Sequence, residues 1–150
     1  MLKLSALLIC LTLTGAVVAA QVSQYLTWSM SVTDAEYALA FVVDPPTILS
    51  VLDSPSYSGE VVMSTSKAPT ANYNFDVIFS LESIPAGATF ADIDFGFSVG
   101  VTPASLVTMT GNSVTFSLVI PAGLTEITSD ILLQINYPGD WQFSLVMDIP

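Results

Sequence analysis

An alternation of apolar and polar residues with a period of two recurs along this chain, and it constrains the fold more than any other feature. Tyr73, Phe75, Val77, Phe79 and Leu81 alternate with Asn74, Asp76, Ile78 and Ser80. Ile93, Phe95, Phe97 and Val99 repeat the pattern within Phe90 to Val99, and so do Val114, Phe116, Leu118 and Ile120. Successive side chains on a strand point to opposite faces, so each run presents one apolar face to a core. No ten-residue window after Gln21 carries a helical stripe, which predicts an all-β domain.

Breakers set the strand limits. Glu36 to Val43 reads as a strand stopped by Asp44-Pro45-Pro46, since prolines do not sit inside a central ladder. Ile48 to Leu52 is a short run ended by DSPSYSG, and Glu60 to Thr65 reads as an edge strand before the polar KAPTAN loop. Leu106 to Thr110 and the run from Val114 flank Gly111-Asn112, which predicts a hairpin. Ile131 to Tyr137 and Trp141 to Met147 are two further strands around Pro138-Gly139-Asp140. The expectation is a single β-sandwich of about nine or ten strands, jelly-roll or immunoglobulin-like. An internal echo, Ile84-Pro85-Ala86-Gly87 and Ile120-Pro121-Ala122-Gly123, reads either as two equivalent loops at one end or as the same turn used twice.

Residues 1–20 read as a secretory signal peptide: Lys3 supplies a charge, Leu4 to Val18 is almost wholly apolar, and Val18-Ala19-Ala20 offers small residues for cleavage. An uncleaved anchor is the competing account. Cys10 lies within this segment, so disulfides play no part in the remaining 130 residues, which suit one domain. All thirteen acidic residues but only one base, Lys67, follow residue 20, giving that part a formal charge of −12. Nucleic acid and anionic lipid are therefore poor partners, and neither nucleic acid nor, after signal cleavage, a membrane is expected as one. Charged residues are nonetheless only 10% of the chain and the mean hydropathy is +0.70, more apolar than a lone exported domain requires.

Little catalytic chemistry is available. The chain has no His and its only Cys is Cys10, which removes most nucleophile–base pairs and the usual zinc and copper sites. No catalytic residues, resident metal or cofactor are expected, and the reading is that of a protein that is not an enzyme. Asp92 and Asp94 form the closest acidic pair; alternation would place both on one polar strand face, a possible cation site if further oxygens joined them. A carboxylate hydrolase would need a cleft that the composition does not suggest. Trp28 falls on the apolar face of its run, whereas Trp141, just after a Pro-Gly-Asp turn, is expected to be exposed and would be the residue to stack a sugar. Asn72, Asn74, Asn112 and Asn136 all lack a Ser or Thr two residues on, so no glycosylation sequon is formed.

Residues 21–34 remain. Val22, Gln24, Leu26, Trp28, Met30 and Val32 alternate with Ser23, Tyr25, Thr27, Ser29 and Ser31, all apolar in the first set except Gln24. One account folds this strand into its own sandwich. In the other it leaves to fill the groove of the next molecule, a head-to-tail strand addition that does not close and so builds a filament. Thr33-Asp34 would be the hinge, residues 21–34 the donor strand and residues 35–150 the sandwich. Burying Leu26, Trp28, Met30 and Val32 would contribute on the order of 6–10 kcal/mol before ordering costs.

A leader ending near VVAAQ, the strand V-x-Q-x-L-x-W-S-x-x-V directly after it, and a small acidic Cys-free sandwich with IPAG turns resemble the archaeal bundling-pilus and thread filament subunits. These are similar in turn to bacterial TasA/camelysin-type biofilm fibre proteins. The resemblance implies a secreted jelly-roll subunit that forms an extracellular, cell-surface homopolymer by N-terminal donor-strand complementation, bundling with neighbouring filaments in a biofilm. The donor residues would be Val22, Gln24, Leu26, Trp28, Met30 and Val32. The missing sequons depart from some thread-like relatives. A type IV pilin would need residues 1–20 retained and a Gly-bounded processing site, which is not present. The alternative from another class is a secreted monomeric sandwich that binds carbohydrate or a cell surface.

Overall fold

A computed structural model describes residues 23–50, 56–100 and 102–150. Ten strands are formed among them: β1 (Ser23–Val32), β2 (Tyr37–Phe41), β3 (Ile48–Ser50), β4 (Ser56–Thr65), β5 (Tyr73–Ser83), β6 (Ile93–Phe97), β7 (Val107–Thr108), β8 (Ser113–Ile120), β9 (Glu126–Ile135) and β10 (Gly139–Asp148). They build two five-stranded sheets, ordered β3-β1-β10-β5-β8 and β2-β4-β9-β6-β7. The two sheets pack face to face as a β-sandwich, and no helix among the described residues is long and apolar enough to cross a membrane.

The alternation maps directly onto the core. Phe75, Val77, Phe79 and Leu81 of β5 are buried, as are Ile131, Leu133 and Ile135 of β9 and Trp141, Phe143, Leu145 and Met147 of β10. Phe79 of one sheet stacks on Phe95 of the other, centroids 3.6 Å apart and planes within 4°, and Phe143 lies 5.5 Å from Phe79. This aromatic column closes the middle of the sandwich, where such contacts add to simple area burial.

Several sequence expectations are corrected. The strand at Glu60–Thr65 is not an edge: β4 begins at Ser56 and pairs with both β2 and β9. Its first half was disguised because Ser56, Ser58 and Glu60 occupy the outward positions, while the inward Gly59 has no side chain to extend the apolar pattern. The predicted hairpin around Gly111-Asn112 does not form. β7 pairs with β6 in one sheet and β8 with β5 in the other, so this segment is a sheet crossing. Gly111 does not have the positive φ that a two-residue hairpin turn requires. Phe90–Asp92 is a 3-10 turn rather than the start of a strand. Tyr137 falls outside β9, which begins earlier, at Glu126.

The two IPAG segments use one turn: Gly87 and Gly123 have φ of 90° and 83°, and Ala88 and Leu124 donate to the Pro85 and Pro121 carbonyls at 3.0 and 3.1 Å. Each carries the chain from one sheet to the other. Since β5 and β8 are antiparallel, the turns sit at opposite ends of the sandwich, not at one end.

Candidate functional site

The site follows from how β1 is held. It lies between β10 and the short β3, and Gln24 to Val32 run opposite Gly139 to Met147 in parallel register. Every other strand pair among the described residues is antiparallel. Parallel ladders are slightly the weaker per residue. β3 covers β1 only at Ser23–Tyr25, with one further bond from the Leu26 amide to the Thr47 carbonyl at 2.8 Å.

That bond, with the Thr33 amide donating to the Met147 carbonyl at 3.1 Å, fixes which way the backbone of β1 points. Odd residues address β10, and the even residues Trp28, Met30 and Val32 turn their N–H and C=O groups to the open side, by the strand's alternation. Among the described residues no strand pairs with that half of β1.

The same even residues send their side chains inward. Leu26 is buried, whereas Trp28, Met30 and Val32 are only half-buried. Trp28 meets Phe41 of β2 edge-on at 5.3 Å and tilts against Phe143 at 4.8 Å and Phe79 at 6.0 Å. Its indole N–H is buried with no acceptor among the described residues, at a cost of about 1–3 kcal/mol. A shallow cavity of about 520 Å³ opens beside it, lined by Leu26, Met30, Phe41, Asp44 and Pro45. Val22 lies outside the described residues, and Gln24 is placed by its backbone pairing with Gly139.

A short segment leads from β1 in one sheet to β2 in the other. The Asp34 Oδ1 accepts the Glu36 amide at 2.8 Å and the Asp34 carbonyl accepts the Tyr37 amide at 3.2 Å, a turn in which an Asp side chain mimics backbone. Thr33 ties this turn to the last strand: its Oγ1 accepts the Ile149 amide at 2.8 Å. The sequence had marked Thr33-Asp34 by polarity alone.

The remaining sequence candidates lie elsewhere. Asp92 belongs to the 3-10 turn, where its Oδ2 accepts the Thr89 amide and hydroxyl at 2.7 and 3.0 Å; Asp94 is on β6, and its Oδ1 accepts the Thr108 hydroxyl at 2.5 Å. Each carboxylate is thus engaged by its own neighbour. Among the described residues no group of three or more His, Cys, Asp or Glu side chains is placed to share a metal ion. Trp141 is not exposed. It is fully buried, with its indole N–H donating to the Tyr137 carbonyl at 3.1 Å, because β10 begins at Gly139 and Trp141 shares its inward face with Phe143, Leu145 and Met147.

Two tyrosines bracket the β2 region. Burial raises the pKa of Tyr57, with Asp44 adding to it, and burial together with the stacked Tyr73 raises that of Tyr37. Both stay neutral at ordinary pH, so neither supplies a charge to the slot.

What the fold and this slot define is a two-sheet sandwich whose first described strand is its least enclosed internal strand. No protein-family model matches the chain, and no curated protein matches its sequence.

Proposed function

We propose that this chain is a structural, non-catalytic subunit of an extracellular filament, in which β1 of one copy fills the slot between β10 and β3 of the next. The observation that carries the reading is the attachment of β1: a parallel pairing, an open outer half, and a single polar turn joining it to the rest of the described chain. The slot beneath is lined by Phe143, Leu145 and Met147 of β10, which are buried in the core with β1 alongside. Any β1 in the same register satisfies the same backbone groups, whichever copy supplies it. Exchange therefore costs little in contacts, and the turn at 33–36 needs only to open from a crossover into an extended linker of roughly 13 Å. The resemblance to archaeal bundling-pilus subunits and the sparse charge of the chain support the same reading, including the gathering of filaments into bundles.

The monomeric sugar-binding alternative rested on an exposed Trp141, and the burial of that ring removes its observation.

Electron microscopy and size exclusion on chains beginning at Gln21 and at Ala35 test the proposal. Filaments from the first and none from the second are expected. A stable monomer from the first, with a second that does not fold, would return β1 to its own sandwich for good.

A further inference from the structure

Exchange of β1 uses one side of the sandwich, and the other side has properties of its own. Between Asp94 and Glu126 the sequence contains no charged residue, although acids are spread through the rest of the chain after residue 20. This neutral run holds β7 and β8, the last strands of the two sheets, which lie on the same side and bound one shallow cavity with Phe95, Met109 and Val114. Four of the exposed large apolar side chains, Leu106, Val107, Val119 and Leu124, belong to it.

Among the described residues no strand pairs with the outer edge of β8. The Leu81 amide donates to the Asn112 carbonyl, so the alternation of an antiparallel pair turns the backbone of Val114, Phe116 and Leu118 to β5. The N–H and C=O groups of Ser113, Thr115, Ser117 and Val119 then face outward, with uncharged, exposed side chains, three small hydroxyls and one valine. No Pro or charge interrupts the strand, and β8 pairs with β5 in continuous register. Exposed edges are normally protected by such devices. The nearest acid, Asp76, sits one strand in and accepts the Ser117 hydroxyl at 2.7 Å.

We infer that β8 is the surface by which this chain meets a second copy of itself, edge to edge and antiparallel about a two-fold axis. Such a contact sets the strand against itself, residue i opposite j and j opposite i, so acids on it would face acids and an acidic protein makes it most easily where acids are missing. β8 is such a place, and the open half of β1 is not, being flanked by Asp34, Glu36 and Asp44. In an assembly built by β1 exchange β8 stays free and becomes the lateral contact between filaments; only that placement rests on the proposed function.

The test uses the full chain and a variant carrying Thr115→Lys and Val119→Lys, with Val119→Thr as a neutral control, each checked for folding by circular dichroism. Sedimentation should show self-association weakened at least about tenfold in the lysine variant and retained in the control, while microscopy should show single filaments in place of bundles. Bundles and association equal to those of the unaltered chain would overturn the β8 contact and leave the filament reading standing. Association through β8 without any filament would do the reverse, and monomers in every case would remove both. Hydrogen exchange on the unaltered chain is independent of any substitution. The Ser113, Thr115, Ser117 and Val119 amides should be protected when associated and exchange freely when dilute; free exchange in both states would refute the contact.

Discussion

The two open sides of this sandwich are unlike. On the β1/β2 side large apolar residues, Trp28, Met30, Val32, Tyr37, Leu39 and Phe41, face inward yet remain half-exposed, and acids stand at the ends of the strands. On the β7/β8 side the inward Phe116 packs against Phe95 and Phe97 at 5.8 and 5.3 Å, and the outward residues are uncharged. The first side is unfinished in its core; the second, where Val114 and Phe116 are half-buried but Leu118 and Ile120 are closed over, is more nearly finished and also has an open backbone. Unfinished packing favours replacing a strand, whereas an open backbone favours adding one.

A covalent lock separates these cases most sharply. Thr27 and Gln142 are opposite each other on exposed positions of β1 and β10. With Thr27→Cys and Gln142→Cys, exchange gives a ladder of disulfide-linked multimers on a non-reducing gel. A monomer with an internal bridge, and no ladder at any concentration, would mean that β1 never leaves.

Next in size is Trp28→Ala, which removes the ring that joins both sheets on the unfinished side. The expected loss is about 2–4 kcal/mol of unfolding free energy, below a full core truncation because the ring is half-buried. Phe116→Ala on the more nearly finished side should cost about 2–3 kcal/mol without altering any filament; chemical denaturation of both variants, with microscopy, decides whether the two sides are energetically distinct.

Asp34→Ala removes the acceptor for the Glu36 amide and should lower stability by about 0.5–1.5 kcal/mol while speeding assembly, since the crossover turn is weakened and the extended linker is not. Slower assembly would argue that the turn persists in the filament.

The smallest effect is expected at Tyr57, whose hydroxyl is buried with no partner among the described residues. Tyr57→Phe should change stability by less than about 1 kcal/mol and in the stabilising direction. Because the folded-state pKa is raised, the protonated phenol contributes stability that is fully present below about pH 10 and lost as pH rises through the folded value. The substitution should therefore also flatten the alkaline limb of the denaturation profile.

Much of this was legible in residue order because a strand's two faces are set by its own sequence. The alternations at Tyr73–Leu81 and Val114–Ile120, the stop at Pro45-Pro46 and the IPAG turns are local facts, governed by φ, ψ and a period of two. The lack of His and of any Cys beyond Cys10 likewise limited the chemistry before any fold was known. Alternation does not say which strand lies beside which. That choice depends on contacts between residues far apart in the chain, so β4 became internal, the Gly111-Asn112 hairpin became a sheet crossing, and Trp141 was buried in the core between the sheets. The sequence by itself determined that residues 23–32 would be a strand with one apolar face; only the tertiary structure decided that it runs parallel to β10 with half of its outer edge open, because pairing direction is settled by the strands that close the sheet.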